Sequence, residues 1–582
     1  MNLKYQKYCI ISILLIVNTI LSSTFIIYED KWYAYLFILA LASCLNSFSC
    51  LFNIGHKMFF EREMPLGYTN NNRLIGKNYL YIVPCYTETK EELIKTLNSL
   101  VLQREVKRDV RSILIICDGS SANKNNICDK ILKELLVFDD DNDKKAQYFK
   151  YPTWDQKENL VQVCKAYYSF SGETLPVILL IKMENYGKRD SLVLARQLCY
   201  KYNQSLLLDT SGNNHLDALT EEMLANLKFV YEGREIHYMI GIDADTEFDY
   251  NCSYELIQGI QASDDIHGCV GYVDIAPESA FFTSPFILYQ YAEYMFAQCL
   301  RRYAQSCITK KVNCLSGCVQ ILRISKETCG DEILAKFNYL PAAEESIFNH
   351  IRSYASEDRN HVCHMLSMYP HVKTTQNLKA IAYTSVPTTW QVFLSQRRRW
   401  SLGSNANDML LVTLPGIVFV ERISAFVNVV TYSVSPFVFI ATILFLKTII
   451  TEASMLMLYL STVILLPLFY AVFIVPIFIR PLPFPATLYY YLSYAFFYFI
   501  GSLVNLIIYF YSISCMDVIK WGKTRQIKMT VEGVTETETK TETDVEAEYI
   551  YDDCIYIDTK HPPKDMDITK YDVSDYDIVI YV

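Results

Sequence analysis

Ile240-Gly241-Ile242-Asp243-Ala244-Asp245-Thr246 places two carboxylates one residue apart at the end of an apolar run, where they could share a hard divalent cation and a bound diphosphate. Such a pair alone is weak, because acids at strand ends are common turn formers. Three other groups sit at equivalent positions. Pro84-Cys85-Tyr86-Thr87-Glu88 and Asp118-Gly119 each follow a short apolar run, as groups lining a nucleotide crevice do in an open α/β sheet. Asn185-Tyr186-Gly187-Lys188-Arg189-Asp190 adds a glycine and two cations suited to gripping phosphate or pairing with strand-end acids.

Further along, Ser356-Glu357-Asp358-Arg359 offers a carboxylate with charged neighbours, a candidate general base that equally suits a solvated helix. Gln396-Arg397-Arg398-Arg399-Trp400 is more telling. On a helix Gln396, Arg399 and Trp400 share one face, giving an indole platform for a sugar and a cation for a leaving diphosphate. A basic helix resting on anionic headgroups is the competing reading.

These groups need a frame. Tyr79–Val83, Ile113–Ile116, Val177–Ile181 and Tyr238–Ile242 are short apolar runs ending in polar residues, the pattern of buried parallel strands. The expected fold class is α/β, with functional groups at strand ends.

The 582 residues are 51% hydrophobic, too apolar for an ordinary soluble enzyme. Tyr8–Ile27 and Tyr33–Ile54 are uncharged and each long enough to cross a bilayer, and a hairpin of two spans is favoured over a cleaved signal peptide. Three more spans are expected at Ile423–Leu446, at Ala453–Ile479 and within Leu482–Met516. Lys4 and Lys7 before the first span, and His56, Lys57 and Arg62 after the second, place the N-terminus and the middle of the chain in the cytosol. Phe286–Leu300 and Met409–Val420 suit helices lying flat on the membrane, or ordinary packing helices.

The formal charge of -10 excludes a general polyanion-binding role and gives no reason to expect nucleic acid as a partner. All of it is in the tail, which nets -11 and leaves the remainder at +1. From Val531 onward there are 15 acidic and 4 basic residues, in a Thr/Glu-rich stretch too polar to bury a core and expected to be disordered. In the near-neutral remainder, cations gather at Lys188-Arg189 and Arg397-Arg398-Arg399, where a diphosphate would be held. The 18 cysteines form no disulfide framework or zinc-spaced pairs, and are expected to be reduced; Cys314 and Cys318 come closest to a pair.

In chain order PCYTE, NYGKRDS, IDADT, CLSGC, SEDR, QRRRW and WGKTR resemble the processive family-2 glycosyltransferases, and specifically the fungal-type chitin synthases of the WGxTR-containing division. The resemblance implies a GT-A-like catalytic domain with a mostly parallel sheet beside a transmembrane helical bundle. It also implies polymerisation of N-acetylglucosamine from UDP-GlcNAc into β-1,4-linked chitin by an inverting, metal-dependent displacement, with the chain passed across the membrane. By motif, Glu88 and Asp118 would contact the uridine, and Lys188 and Asp243 would hold the donor. Asp245 would bind Mg²⁺ or Mn²⁺, and Asp358 would be the base. Gln396, Arg399 and Trp400 would line the acceptor end and the diphosphate, and Cys314, Leu315, Ser316, Gly317 and Cys318 would form a gate loop. Trp521, Gly522, Thr524 and Arg525 carry the last motif.

The implied domains are a membrane hairpin at 1–56, a cytosolic catalytic domain at 74–408, an interfacial segment and three spans at 409–516, the WGKTR segment at 517–528, and the acidic tail at 529–582. The implied partners are UDP-GlcNAc, the growing chitin chain and the lipid bilayer of, most naturally, the plasma membrane; a homodimer is compatible with this.

This chain departs from the family pattern in places. Ser316 stands where proline is usual, Thr87 where asparagine is common, and Ser401-Leu402-Gly403 where Ile-Asn-Ser is usual. Hyaluronan or cellulose synthases share the strand-end acids and Gln-x-x-Arg-Trp, and a non-catalytic membrane scaffold or transporter is a more remote alternative. Five spans would put WGKTR outside the cytosol, whereas Lys520, Lys523, Arg525 and Lys528 favour the inside.

Overall fold

Eleven strands make one mixed sheet. They are β1 (Tyr79–Cys85), β2 (Arg111–Cys117), β3 (Val137–Phe138), β4 (Tyr148–Pro152), β5 (Glu158–Phe170), β6 (Glu173–Lys182), β7 (Tyr238–Gly241), β8 (Thr246–Phe248), β9 (Ile266–Ile275), β10 (Gln320–Arg323) and β11 (Lys373–Thr384). The computed structural model describes residues 2–28, 35–60, 77–104, 109–120, 127–138, 147–207, 217–276, 284–451 and 465–518. WGKTR and the acidic tail lie outside the described residues.

The four expected strands are the centre of the sheet, in the order β6-β2-β1-β7 and all parallel. Both flanks are antiparallel where they meet this centre, β5 against β6 and β10 against β7. The central runs are continuous because both faces are covered. Tyr79, Tyr81 and Val83 pack on the side of helices Lys90–Val101 and Cys252–Gln261, and Leu80 and Ile82 on the side of helices Gly187–Leu207 and Ala218–Tyr231. Parallel alignment brings the carboxyl ends of all four strands to one rim, where the chemical groups emerge.

Among the described residues three helices are long and apolar enough to cross a membrane: Leu3–Ile27, Ile38–Phe60 and Phe484–Ser514. The straight span expected over Ile423–Leu446 is instead two helices, Phe419–Ser433 and Ser435–Leu444, bent by 76°. Pro436, which has no amide proton, enters just after the break. Asn18 of the first helix, 5% exposed, repairs it. Its Nδ2 donates to the Ser433 carbonyl at 2.9 Å and its Oδ1 accepts from the Phe437 amide at 3.0 Å. An uncharged run hides such a break from sequence, since the compensating amide lies hundreds of residues away. Of Ala453–Ile479, the part from Leu465 is described, and it is helical to Ile479.

Phe286–Leu300 is helical and packs against the last long helix, with the Tyr289 and Phe497 rings 5.2 Å apart and Tyr291 and Tyr489 5.1 Å apart. Met409–Val420 is not a separate element. Its first part completes helix Trp390–Thr413, and the chain turns at Pro415-Gly416, with Gly416 at φ +75°, before Phe419 starts a new helix.

The last helix ends beside the beginning of the first: Lys7 pairs with Asp517 at 2.7 Å. Gln6 in turn donates to the Glu345 carbonyl and accepts from the Ile347 amide, both at 2.8 Å, tying the first helix to the catalytic domain. Asp517, at the end of the last helix, therefore lies near the start of the first helix and, through Gln6, near Glu345 and Ile347.

Replacing Asn18 with leucine leaves a carbonyl and an amide unpaired at an apolar break, and should cost about 1–3 kcal/mol. Thermal unfolding in detergent is the check, and Asn18→Gln should lose less than Asn18→Leu.

Candidate active site

The turn after β7 is fixed from below. Thr246 N–H donates to the Asp243 carbonyl at 3.0 Å, and Thr96 Oγ1 donates to the carbonyls of Ala244 (2.9 Å) and Thr246 (2.8 Å). Thr96 is held in turn because Thr89 and Glu92 form a reciprocal cap at the start of its helix. Asp243 and Asp245 are thereby set at the rim as two partly exposed hard-oxygen donors, a set that fits a divalent cation.

Lys188 comes from the next turn. The Asn185 side chain accepts from the Gly187 amide at 2.8 Å, Gly187 takes φ +82°, and helix Gly187–Leu207 begins. Lys188 Nζ lies 2.6 Å from Asp243 Oδ1 and 4.0 Å from Glu357 Oε1. Burial works against its charge, but Asp243, Asp358 and Glu357 hold the ammonium well above the ordinary lysine range.

Asp358 opens helix Glu357–Met368, and its Oδ2 accepts the Gly317 amide at 2.8 Å. A Cβ on Gly317 would sit 2.9 Å from Asp358 Oδ1 and 2.9 Å from Lys188 Nζ, so the glycine of the expected gate loop is what lets Asp358 and Lys188 meet. Burial pushes the Asp358 carboxyl up to about 6 against the opposing pull of Lys188, with Glu357 and Asp243 adding to the rise. Cys318 belongs to the same group, its thiol raised by burial and by Asp243 and held back by Lys188.

Helix Trp390–Thr413 closes the site. Gly403 lies against Ser356, where a Cβ would come within 2.5 Å of the Ser356 Cβ, so the departure at Ser401-Leu402-Gly403 lets this helix reach the start of the Asp358 helix. Burial lowers the Arg399 guanidinium, and Glu357 and Asp243 oppose the shift, which puts Arg399 within electrostatic reach of both acids. Trp400 stays 44% exposed, its ring 5.9 Å from Tyr294, a platform open to an incoming ring.

The expected cationic patch is thinner than the sequence suggests. Arg189 is turned inward, donating to the carbonyls of Phe337 (2.7 Å) and Arg352 (2.9 Å). Arg397 is buried under the Trp400 ring, 4.4 Å from its centroid, and is bound by Glu293 and Gln290 and to the side chain of Gln396. Both are structural cations, leaving Lys188 and Arg399 nearest the acids. Glu293, the lone acid of its apolar helix, is the sequence signal for the Arg397 partner.

Asp118 lies deeper than expected. Its Oδ1 pairs with Lys182 at 2.5 Å and accepts the Tyr186 amide at 3.1 Å, while Lys182, fully buried, also binds Asp190 at 2.9 Å. A lysine closing a buried strand beside Asp118 was the available signal. Glu88 folds back on its own turn, accepting the Tyr86 amide at 2.6 Å. In the expected gate loop, Leu315 is buried, Cys314 half-buried, and Ser316 Oγ accepts from Arg302 at 3.2 Å, a side-chain tether where proline would stiffen the backbone.

One acid not singled out in the sequence, Asp408, anchors the Asp358 helix. Arg359, next to Asp358, pairs with Asp408 at 2.5 Å; Asn428 donates to Asp408 at 3.1 Å, and Arg301 donates to Asn428 at 2.5 Å and to Asn46 at 3.3 Å. This polar chain runs from the Asp358 helix to the membrane-length helix that carries Asn46. Asp408→Ala would strand the buried Arg359 charge and should cost about 3 kcal/mol or more. The check is a lower unfolding midpoint than wild type, with Asp408→Asn between the two.

A family model described as chitin synthase matches residues 56–556. Chitin synthase 8 of Gibberella zeae is 33% identical over 508 residues, covering 86% of this chain and 74% of that protein. Chitin synthase 8 of Verticillium dahliae is 30% identical over 472 residues, covering 75% and 74%. Among solved structures, the mannosyltransferase PcManGT of Pyrobaculum calidifontis, in complex with GDP-Man and Mn²⁺, aligns over 81% of this chain and 99% of that one at 12% identity, with a TM-score of 0.34. The chain belongs to the chitin synthase family of glycosyltransferases.

Proposed function

We propose that the protein transfers N-acetylglucosamine from UDP-GlcNAc to the non-reducing end of a β-1,4 chain, inverting the anomeric centre, and that the chain leaves along its membrane helices. The observation that carries this reading is the meeting of Asp358, Lys188, Asp243 and the Gly317 amide at one rim of the sheet.

Asp358 accepts the proton of the acceptor hydroxyl as that oxygen attacks the anomeric carbon and the bond to the diphosphate breaks. A carboxylate pushed up to about 6 is still mostly ionised at neutral pH, yet is a stronger base than a solvated aspartate. The Gly317 amide holds one of its oxygens, which fixes the direction of proton transfer. Lys188 holds the donor-side carboxylate of Asp243 and opposes the rise of the Asp358 carboxyl. Arg399 faces the leaving diphosphate, and Trp400 supports the terminal sugar of the acceptor.

Asp245, with Asp243, would hold Mg²⁺ or Mn²⁺, which when bound offsets the charge developing on the leaving diphosphate. Glu88 and Asp118 flank the place of the uridine. The catalytic domain is assigned to the cytosol, where nucleotide sugars are made, and the membrane to the plasma membrane, with the gate loop Cys314–Cys318 between the site and the exit.

The test is to supply purified full-length protein with UDP-GlcNAc as sole donor, with Mg²⁺ or with EDTA. The expected result is an insoluble, chitinase-sensitive polymer that forms only with the metal. Asp358→Asn should keep UDP binding while losing at least about a hundredfold in polymer formation. A product that requires UDP-glucose or UDP-glucuronate, or Asp358→Asn working at the wild-type rate, would overturn the assignment.

A further inference from the structure

Cys85 ends β1 and Cys117 ends β2, and the two are paired in register on adjacent parallel strands, so their side chains leave the same face of the sheet. Cys128 opens helix Cys128–Leu135, which packs on that face. The three sulfurs lie within 4.8 Å of one another, and the residues are 3%, 0% and 0% exposed.

Each thiol taken singly would be an ordinary small core group. Three of them, brought by three separate elements to one point, are a different object. Sulfurs around a tetrahedral ion with metal–sulfur bonds of about 2.3 Å stand about 3.8 Å apart, so this cluster needs only a small contraction to close on one. A disulfide fits less well: it would use two of the sulfurs and leave the third, and it is disfavoured on the cytosolic side, to which the catalytic domain is assigned. At present the Cys117 Sγ–H points to the Gly119 carbonyl at 3.4 Å and Cys85 Sγ–H to the Ile116 carbonyl at 3.7 Å, so both thiols turn toward backbone oxygens of the β2 end.

We propose that Cys85, Cys117 and Cys128 form a thiolate site for a soft or borderline-soft metal ion, with Zn²⁺ the expected occupant. Binding releases the thiol protons and leaves three metal–sulfur bonds, with no change of oxidation state. The site is separate from the Asp243–Asp245 pair, whose oxygens suit a hard cation. Its position gives it a use. Cys85 leads into Tyr86-Thr87-Glu88 and Cys117 into Asp118, so an ion bound here clamps together the ends of β1 and β2 and the two turns that emerge from them.

The site escapes a sequence scan because its ligands lie in three elements with no short spacing motif. The experiment reads metal content and does not depend on the polymer assay. Purified full-length protein in detergent, dialysed against a weak chelator, should retain about one zinc per chain by elemental analysis. Cys128→Ser and Cys128→Ala, checked for folding by circular dichroism, should each retain less than about a tenth as much. Where both variants fail to fold, Cd²⁺ titration of the wild-type chain decides, with a sulfur-to-cadmium charge-transfer band saturating at about one equivalent expected. Wild-type protein that holds no zinc and gives no such band, or folded variants that hold as much zinc as wild type, would overturn the proposal.

Discussion

One half-buried ammonium organises the site. Lys188 sits among Asp243, Glu357 and Asp358, acids contributed by a strand end and by a helix far along the chain. Without that cation Asp358 would meet burial and the neighbouring Glu357 and Asp243 unopposed, and its carboxyl would be pushed further toward the neutral form. With it, Asp358 is raised only to about 6. The rest of the rim serves this arrangement: Gly187 turns the chain so that Lys188 enters, Gly317 leaves the gap in which Lys188 and Asp358 meet, and Gly403 lets the Trp390–Thr413 helix close over them.

The polar chain through Arg359, Asp408, Asn428, Arg301 and Asn46 carries the same logic outward. The Asp358 helix is not merely packed on the sheet. It is wired by buried charge-assisted bonds to a helix of membrane-spanning length, and Asn18 performs a similar service at the Ser433–Phe437 break. In an apolar surrounding such groups persist only when fully partnered, so they fix how the helices meet the catalytic domain.

The centre of the sheet was legible because parallel strands covered on both faces are uninterrupted apolar runs, and their polar ends mark the rim. Tyr79–Val83 and Tyr238–Ile242 could be placed in this way, and with them Asp243 and Asp245. The antiparallel flanks were not, since β5 alternates buried and half-buried positions and mixes Gln162 and Lys165 among its apolar residues, so it shows no uninterrupted apolar run. Arg189 and Arg397 look from sequence like Lys188 and Arg399. What separates them is burial against the Phe337 carbonyl and Glu293, partners more than a hundred residues away that spacing cannot reveal. The bend at Val434 and the meeting of Cys85, Cys117 and Cys128 were hidden for the same reason.

The central claim is that Lys188 sets the ionisation of Asp358, and the pH dependence of kcat at saturating donor tests it most directly. For wild-type protein the acidic limb should have its midpoint near the Asp358 value of about 6, with activity falling about tenfold per pH unit below it, because only the ionised base accepts the proton. In Lys188→Met the cation that favours the ionised form is gone, so the remaining activity should show that limb moved to higher pH. A limb at the wild-type position in Lys188→Met would contradict the account.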